Sequence, residues 1–193
     1  MPKVNRHGKA TILSDADQAR IRKHLKGAHR LIWDIAKFTG ERYGAILKLQ
    51  MSDVYDEAGS PREAITFRAS TRKASPDGRR RTRQLPIHSQ LQEILIAHKP
   101  KDFTWMFPSR SKPGEPITFQ AADFALRQAI AKAGLESKGI STHSLRRTFI
   151  TRLHAAGIDL YTIQQITGHQ DLKALGHYVE ISTDRVKGAI AVL

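Results

Sequence analysis

The sequence predicts an α+β fold that is mainly helical, with helices arranged around a small three-stranded antiparallel sheet. Apolar residues recur at helical spacing on both sides of a central segment, which predicts two groups of helices. In that central segment, residues 63–68 alternate polar and apolar side chains as a strand does, and residues 82–87 are interpreted as the returning strand. Pro76-Asp77-Gly78 lies between them and is a turn signal, so the two strands are expected to form a hairpin.

Three helices are predicted before the sheet. Ser14 precedes Asp15 and Asp17, which is typical of an N-cap followed by an acidic first turn, and the first helix is expected to reach about Leu25. The second helix ends at Thr39-Gly40, and Thr39 is expected to cap the third. The residues expected in the core are Leu31, Ile32, Ile35, Ala36 and Phe38 from the second helix and Ile46, Leu47 and Leu49 from the third.

A first strand is expected at Asp53-Val54-Tyr55, and helices are expected again after the hairpin. They are predicted over 89–97, over 118–133 and from a cap at Thr142 to Ala155, whereas the prolines within 99–117 predict irregular structure. Shorter helices follow, and Thr183 is expected to cap a last one. The apolar residues assigned to these helices are Phe119, Phe124, Leu126 and Ile130, and at the end of the chain Val186, Ala189, Ile190 and Leu193.

Composition narrows the classes of function. The 193 residues suffice for one domain, and a formal net charge of +14 predicts a polyanionic partner, most simply nucleic acid, rather than a merely basic protein. The chain has no Cys, which excludes disulfides and Cys-ligated zinc and fits a cytoplasmic protein. No apolar run is long enough to span a membrane. No metal-binding spacing and no P-loop appears, so neither a metal nor another cofactor is expected.

Two predicted helix starts carry arginine. His143 and Arg146 are three apart and share one face of a helix, with Arg147 beside them. Cations in a first turn are disfavoured by the helix dipole, but a phosphate bound there makes the same cluster favourable. Arg42 is predicted at a similar position. The alternatives are an exposed basic turn for His143 and Arg146, and an Arg42 that covers the edge of the core with its alkyl stem.

The hairpin tip and the end of the chain supply further candidates. Basic side chains surround the single acid Asp77, which is typical of a finger that neutralises phosphates along a DNA groove, although a solvated loop is the alternative. His169 follows Gly168, and Tyr178 comes nine residues later; by themselves they are a capping histidine and a core tyrosine. The basic residues of the hairpin are Arg72, Lys73, Arg79, Arg80, Arg81 and Arg83.

Taken together and in order, these residues resemble the tyrosine recombinase (phage integrase) family from about Ser14 to Leu193. The segment Thr39-Gly40-Glu41-Arg42 resembles the family's first arginine box, and 142–149 resembles its second, with His143 and Arg146. The segment Thr71-Arg72-Lys73 before a returning strand resembles the hairpin that carries the catalytic lysine. The catalytic residues that the resemblance implies are Arg42, Lys73, His143, Arg146, His169 and the nucleophile Tyr178, and the implied DNA contacts are Arg72, Arg79, Arg80, Arg81, Arg83 and Arg147.

The resemblance implies cleavage of double-stranded DNA through a 3′-phosphotyrosyl link, followed by rejoining, and so DNA integration or excision for a mobile element. It also implies a homotetramer on DNA in which the C-terminal helix 183–193 docks into a neighbour, in the cytoplasm of a prokaryotic or phage-infected cell. Residues 1–13 are expected to form a basic arm, and 14–193 the catalytic domain. The family's N-terminal clamp domain is not seen, so the chain is either a fragment of a longer recombinase or a catalytic domain that works alone or with a separate clamp or accessory protein.

Two further departures from the family pattern leave alternatives open. The family commonly has Glu three residues after the first arginine, where this chain has Ala45, and the hairpin loop is long and unusually basic. A type IB topoisomerase shares the nucleophile and the catalytic fold but usually carries Lys where this chain has His143. A non-catalytic DNA-binding regulator derived from a recombinase is the other alternative.

Overall fold

The computed structural model describes residues 10–71, 82–98, 104–169, 171–176, 178 and 190–191. The fold is mainly helical with a small antiparallel sheet, as predicted. The helices are α1 (Asp15–His24), α2 (Gly27–Thr39), α3 (Tyr43–Ile46), α4 (Ser89–His98), α5 (Phe119–Lys132), α6 (Ser144–Ala155), α7 (Leu160–Thr167) and α8 (Leu172–Gly176). The strands are β1 (Ala64–Phe67) and β2 (Arg83–Pro86), and single 3-10 turns lie at Met51–Asp53, Ala69–Thr71 and Glu136–Lys138.

The described residues form two strands, so the prediction of a third at 53–55 was wrong. β1 and β2 pair antiparallel, with Ile65 opposite Leu85. Asp53 instead closes a 3-10 turn, because its carboxylate accepts a hydrogen bond of 2.8 Å from the Gln50 backbone N–H and pairs with Arg68 at 2.6 Å. Tyr55 makes only an isolated bridge to Pro61. When a side chain hydrogen-bonds to the backbone of its own turn, that backbone stays in the turn conformation. It then cannot adopt the extended conformation that pairing with another strand requires.

α2 lies at the centre of the helical packing and contacts α3, α4, α5 and α6. Its apolar stripe explains this position, because Leu31, Ile32, Ile35 and Ala36 are all buried as predicted. A second, smaller core lies between α6, α7 and α8, where Ile150, Ile163 and Leu175 are fully buried. This smaller core packs α7 and α8 against the middle of α6.

The core assignments for α5 were correct for Leu126 and Ile130 but wrong for two aromatic residues. Phe119 is 44% exposed and Phe124 is 63% exposed. The buried face of α5 carries Ala122, Leu126, Ala129 and Ile130, which repeat at helical spacing, and Phe124 falls outside that stripe. Thr118 caps the helix, its hydroxyl accepting from the Ala121 backbone N–H.

The part of the predicted basic arm that the structure describes is packed. Leu13 is 1% exposed, and its backbone N–H donates to the Thr148 hydroxyl at 2.8 Å. Residues 1–9 and most of the predicted C-terminal helix 183–193 lie outside the described residues. Within the described segments, no helix has the length and apolar character needed to cross a membrane.

Candidate active site

Arg146 is the buried centre of the site. It lies in the first turn of α6 with 2% of its side chain exposed. One Nη1–H donates to the Gly40 carbonyl at 2.8 Å, and Nη2 donates to the Thr167 carbonyl at 3.0 Å. These carbonyls lie at the ends of α2 and α7, where helix carbonyls have no partner within the helix. A single guanidinium therefore connects the ends of two helices to the start of a third.

Arg42 lies beside this centre, at a position that differs from the prediction. The Thr39 hydroxyl donates to the Ile35 carbonyl at 2.6 Å within α2, so Thr39 does not cap α3. Arg42 is itself the N-cap residue of α3, with extended backbone and an exposed side chain. Its carbonyl accepts from the Ala45 and Ile46 backbone N–H groups at 2.9 and 3.2 Å. The short helix thus fixes the backbone of Arg42 and leaves its guanidinium exposed.

Glu41 supplies a buried carboxylate next to both arginines. Its Oε1 accepts a hydrogen bond of 2.8 Å from the Arg42 backbone N–H and lies 3.8 Å from Arg146 Nη1. Its Oε2 accepts from Arg83 Nη2. The prediction assigned Glu41 no role and pointed to Ala45 as the position of a missing carboxylate. Ala45 is 6% exposed and supplies none, whereas Glu41 reaches the same group of cations from the residue before Arg42.

His169 is held by Thr167 and faces Arg146. The Thr167 hydroxyl donates to the Ile163 carbonyl at 2.6 Å, so it accepts the 2.6 Å hydrogen bond from His169 Nδ1. A neutral His169 with its proton on Nδ1 keeps the lone pair on Nε2. Arg146 Nη2 lies 3.1 Å from this Nε2 and 3.3 Å from Nδ1, so the guanidinium contacts the imidazole. Thr167 therefore sets the tautomer of His169, and sequence patterns did not identify it, because a threonine in a last helical turn is unremarkable.

Tyr178 lies beside His169. It is half-buried and packs on the smaller core of Ile150, Ile163 and Leu175. The two rings have centroids 5.9 Å apart and are tilted by 54°. The Tyr178 backbone is held at both ends, because its N–H donates to the Leu175 carbonyl at 2.8 Å and its carbonyl accepts from the Thr151 hydroxyl at 3.4 Å. The sequence alternative of a core tyrosine is therefore true in part, because Tyr178 packs on the smaller core without being fully buried.

His143 occupies the N-cap position of α6, which the prediction gave to Thr142. His143 is the N-cap residue and is exposed, whereas Thr142 is buried, with its hydroxyl 3.5 Å from His143 Nδ1. The turn is closed by serines, because the Ser141 N–H donates to the Ser144 hydroxyl at 3.0 Å and the Ser141 hydroxyl accepts from the His143 N–H at 3.4 Å. The imidazole thus lies at the entrance of the helix and outside its first turn.

The electrostatics of the site favour an anion. Burial and the charge of Arg42 lower the pKa of Arg146 to about 10, while Glu41 and Tyr178 act to raise it. Arg146 therefore remains charged at neutral pH, although its charged form is disfavoured by its surroundings. Arg83 and Arg146 share the carboxylate of Glu41, whereas Arg42 offers it only a backbone N–H, so a positive excess remains among the described residues of the site. A phosphate placed there would interact favourably with these cations.

The remaining predicted residues fall into two groups. Arg83 is 10% exposed in its side chain and pairs with Glu41, and Arg147 donates from Nη1 to the Ala10 carbonyl at 2.9 Å. Both guanidinium groups thus contact the protein itself, and their DNA contacts stay predictions. The predicted residues Arg72, Lys73, Arg79, Arg80 and Arg81 lie outside the described residues.

In the described part of the chain, no group of three His, Cys, Asp or Glu side chains could hold a metal ion.

Comparison with known sequences identifies the family of the chain. The model of the phage integrase family matches residues 10–185, which include all six predicted catalytic residues. The chain belongs to the phage integrase family. A putative integrase/recombinase, y4qK, of Sinorhizobium fredii is 37% identical over 106 residues, covering 54% of this chain and 34% of the relative. Tyrosine recombinase XerD of Rickettsia bellii is 28% identical over 158 residues, covering 79% of this chain and 51% of the relative. The chain therefore spans about half the length of these relatives or less.

Solved structures share the fold. The catalytic domain of bacteriophage HP1 integrase superposes with a TM-score of 0.66 at 21% identity, and the match covers 95% of each chain. The XerH site-specific recombinase, in a pre-cleavage complex with its difH substrate, has a TM-score of 0.71 at 20% identity, covering 98% of this chain and 56% of that one. The agreement with the HP1 domain over almost its full length supports the predicted catalytic-domain architecture.

Proposed function

We propose that this chain is the catalytic domain of a site-specific recombinase that cleaves and rejoins DNA strands through a 3′-phosphotyrosyl intermediate. The observation that carries the proposal is the position of Arg146. It contacts the loop that presents Arg42 on one side and His169, the neighbour of Tyr178, on the other. A phosphate bound by both arginines would lie near the tyrosine.

We infer the reaction from these positions and, for Lys73, from the resemblance to the family. The Tyr178 oxygen attacks the scissile phosphorus in line, and its proton passes to a base, for which the exposed His143 is the candidate. The P–O5′ bond breaks as the P–O(Tyr) bond forms, and Lys73 protonates the departing 5′ oxygen. Arg42 and Arg146 stabilise the charge on the two nonbridging oxygens, and His169 assists at the same phosphate. One phosphoester replaces another, so a second 5′-hydroxyl can reverse the step and join a new strand.

Double-stranded DNA is the proposed partner. The net charge of +14 fits a polyanion, and the related XerH was solved with a DNA substrate. We also propose a homotetramer on DNA formed through residues 183–193, a clamp supplied by a separate or accessory protein, and action in the cytoplasm. A type IB topoisomerase is the competing activity, and His143 favours the recombinase.

The test uses nicked duplexes from a randomised pool, incubated with the protein and separated under denaturing conditions. We expect a covalent protein–DNA adduct that Tyr178→Phe abolishes while DNA binding is retained. Tyr161→Phe is the matched control, since Tyr161 lies on α7 and is 69% exposed, and it should form the adduct normally. An adduct that survives in Tyr178→Phe would refute the nucleophile. Relaxation of supercoiled DNA without strand exchange would favour the topoisomerase.

A further inference from the structure

Glu41 is a buried charge that joins three parts of the fold. Its side chain is 1% exposed. It accepts from the backbone of Arg42 before α3, lies 3.8 Å from Arg146 on α6, and accepts from Arg83 at the start of β2. These segments are far apart in the sequence, and each carries or adjoins a residue of the proposed site. A single carboxylate therefore lies where the three segments converge.

The cost of burying an unpaired charge explains why Glu41 and Arg146 lie beside each other. An ionised carboxylate without partners is strongly disfavoured inside a protein, and a buried guanidinium is disfavoured in the same way. Glu41 and Arg146 are both nearly inaccessible, so each stabilises the charged form of the other. Removal of either charge would leave its partner buried and under-compensated. The cations are thereby held at fixed positions before any phosphate arrives.

Arg83 extends the connection to the hairpin. Its guanidinium carbon lies 5.4 Å from the centroid of the Phe67 ring on β1 and pairs with Glu41 on its other side. Arg83 is the first residue of β2 and follows the segment 72–81, which contains Lys73. A guanidinium held between an aromatic ring and a carboxylate has little rotational freedom. The base of the hairpin is thus tied to the backbone of Arg42.

We propose that Glu41 is a positioning residue, whose carboxylate aligns Arg146, the backbone of Arg42 and the hairpin base for strand cleavage. It does not contact DNA. The negative charge of Glu41 also repels a phosphate bound nearby. Glu41 therefore favours cleavage by aligning the cations and disfavours DNA binding by this repulsion. Loss of the charge should leave DNA binding unchanged or tighter, while cleavage becomes slower. A merely structural role would weaken both in parallel. This inference rests on the proposed recombinase function.

The experiment compares the wild-type chain with Glu41→Gln on a nicked duplex, measuring the dissociation constant and the first-order rate of adduct formation at saturating protein. We expect the rate to fall on the order of 100-fold, as misplacement of catalytic groups by about 1 Å does, with the dissociation constant equal or lower. Glu93→Gln is the control, because Glu93 is exposed on α4, and it should change neither quantity. Urea unfolding establishes that each variant is folded.

Glu41→Asp is the second variant, in case the uncharged side chain prevents folding. It keeps the charge but is one methylene shorter, so it should slow cleavage with unchanged binding because it no longer reaches Arg83 and Arg146 together. An unchanged rate in a folded Glu41 variant, or parallel losses of rate and binding, would overturn the positioning role while leaving the recombinase intact. Absence of any Tyr178-dependent adduct from the wild-type chain would overturn the proposed function itself.

Discussion

At the scale of single residues, Gly40 shows how tightly the site is built. It ends α2 in a left-handed conformation with φ 60°, and its carbonyl accepts from Arg146. A Cβ built on Gly40 would lie 2.8 Å from Cγ of Phe149 on α6. Glycine is therefore needed twice, once for the backbone conformation and once for the approach of α6. The contact that brings Arg146 to Arg42 depends on this absence of a side chain.

We expect Gly40→Ala to lower the free energy of unfolding by about 2–5 kcal/mol, the sum of a left-handed alanine and an overpacked contact. Gly27→Ala is the matched control, because Gly27 has φ 49° but nothing within 4 Å of its added Cβ. It should lose only about 1–2 kcal/mol. Urea unfolding of both variants measures the difference, which isolates the contact with Phe149. Equal losses would show that α6 accommodates the methyl group.

At the scale of elements, a charged pair ties α1 to the turn that follows α5. Lys138 donates to both carboxylate oxygens of Asp17 at 2.9 Å, and Ser14 caps the same helix by accepting from the Asp17 N–H at 3.1 Å. The Lys138 hydrogen bond is the main cause that holds the pKa of the Asp17 carboxyl below its usual value, while burial opposes this. The helix start is therefore stabilised by a group that depends on pH.

We expect Lys138→Met to lower the free energy of unfolding by up to about 1 kcal/mol at pH 7. The folded pKa of Asp17 lies below its unfolded value, so the contribution is present above about pH 4 and is lost as pH falls through the folded pKa. Urea unfolding at pH 7, 5 and 3 should show the difference between variant and wild type shrinking at pH 3. Lys48→Met, at an exposed lysine, serves as control. A difference independent of pH would refute the role of the Asp17 charge.

At the scale of the whole molecule, the basic residues fall into two groups, those that pair with acids of the protein and those that are expected to bind DNA. Several cations contact the protein itself, as Arg22 does with Asp34, Arg68 with Asp53 and Arg83 with Glu41. The hairpin segment 72–81 carries five cations and a single acid, Asp77. An internal pair contributes little to long-range attraction, whereas an excess of one sign attracts phosphate and releases counterions from DNA. The hairpin is thus expected to dominate the salt dependence of DNA binding.

We expect the logarithm of the DNA association constant to fall linearly with the logarithm of salt concentration. Replacing Arg79, Arg80 and Arg81 together by Gln should reduce the slope by about 0.9 for each phosphate contact removed. Fluorescence anisotropy from about 50 to 200 mM salt measures this slope. Lys112→Gln, which removes an exposed charge paired with Glu115 at 3.8 Å, should alter it little. An equal reduction per charge in both variants would show that the hairpin makes no special phosphate contacts.

Local signals in the sequence determined most of the helices, because an apolar stripe and a cap are properties of neighbouring residues. Ser14 and the stripe of α2 behaved as predicted. Thr39 and Asp53 differ from the prediction because each side chain bonds to the backbone of a residue three or four positions earlier, and Phe119 and Phe124 differ because they are exposed. The resemblance likewise supplied the order of the catalytic residues but assigned no role to Glu41.

The sequence by itself determined the fold class and the family, because these follow from periodicity and from motifs of adjacent residues, and its resemblance to the family named the candidate catalytic residues. Only the tertiary structure decided which acidic side chain pairs with which cation. Glu41 meets Arg83 and Arg146, and Arg146 meets His169, through contacts between segments distant in the chain. Burial makes those pairings obligatory, because a charge removed from water must be compensated by whichever group the fold places beside it.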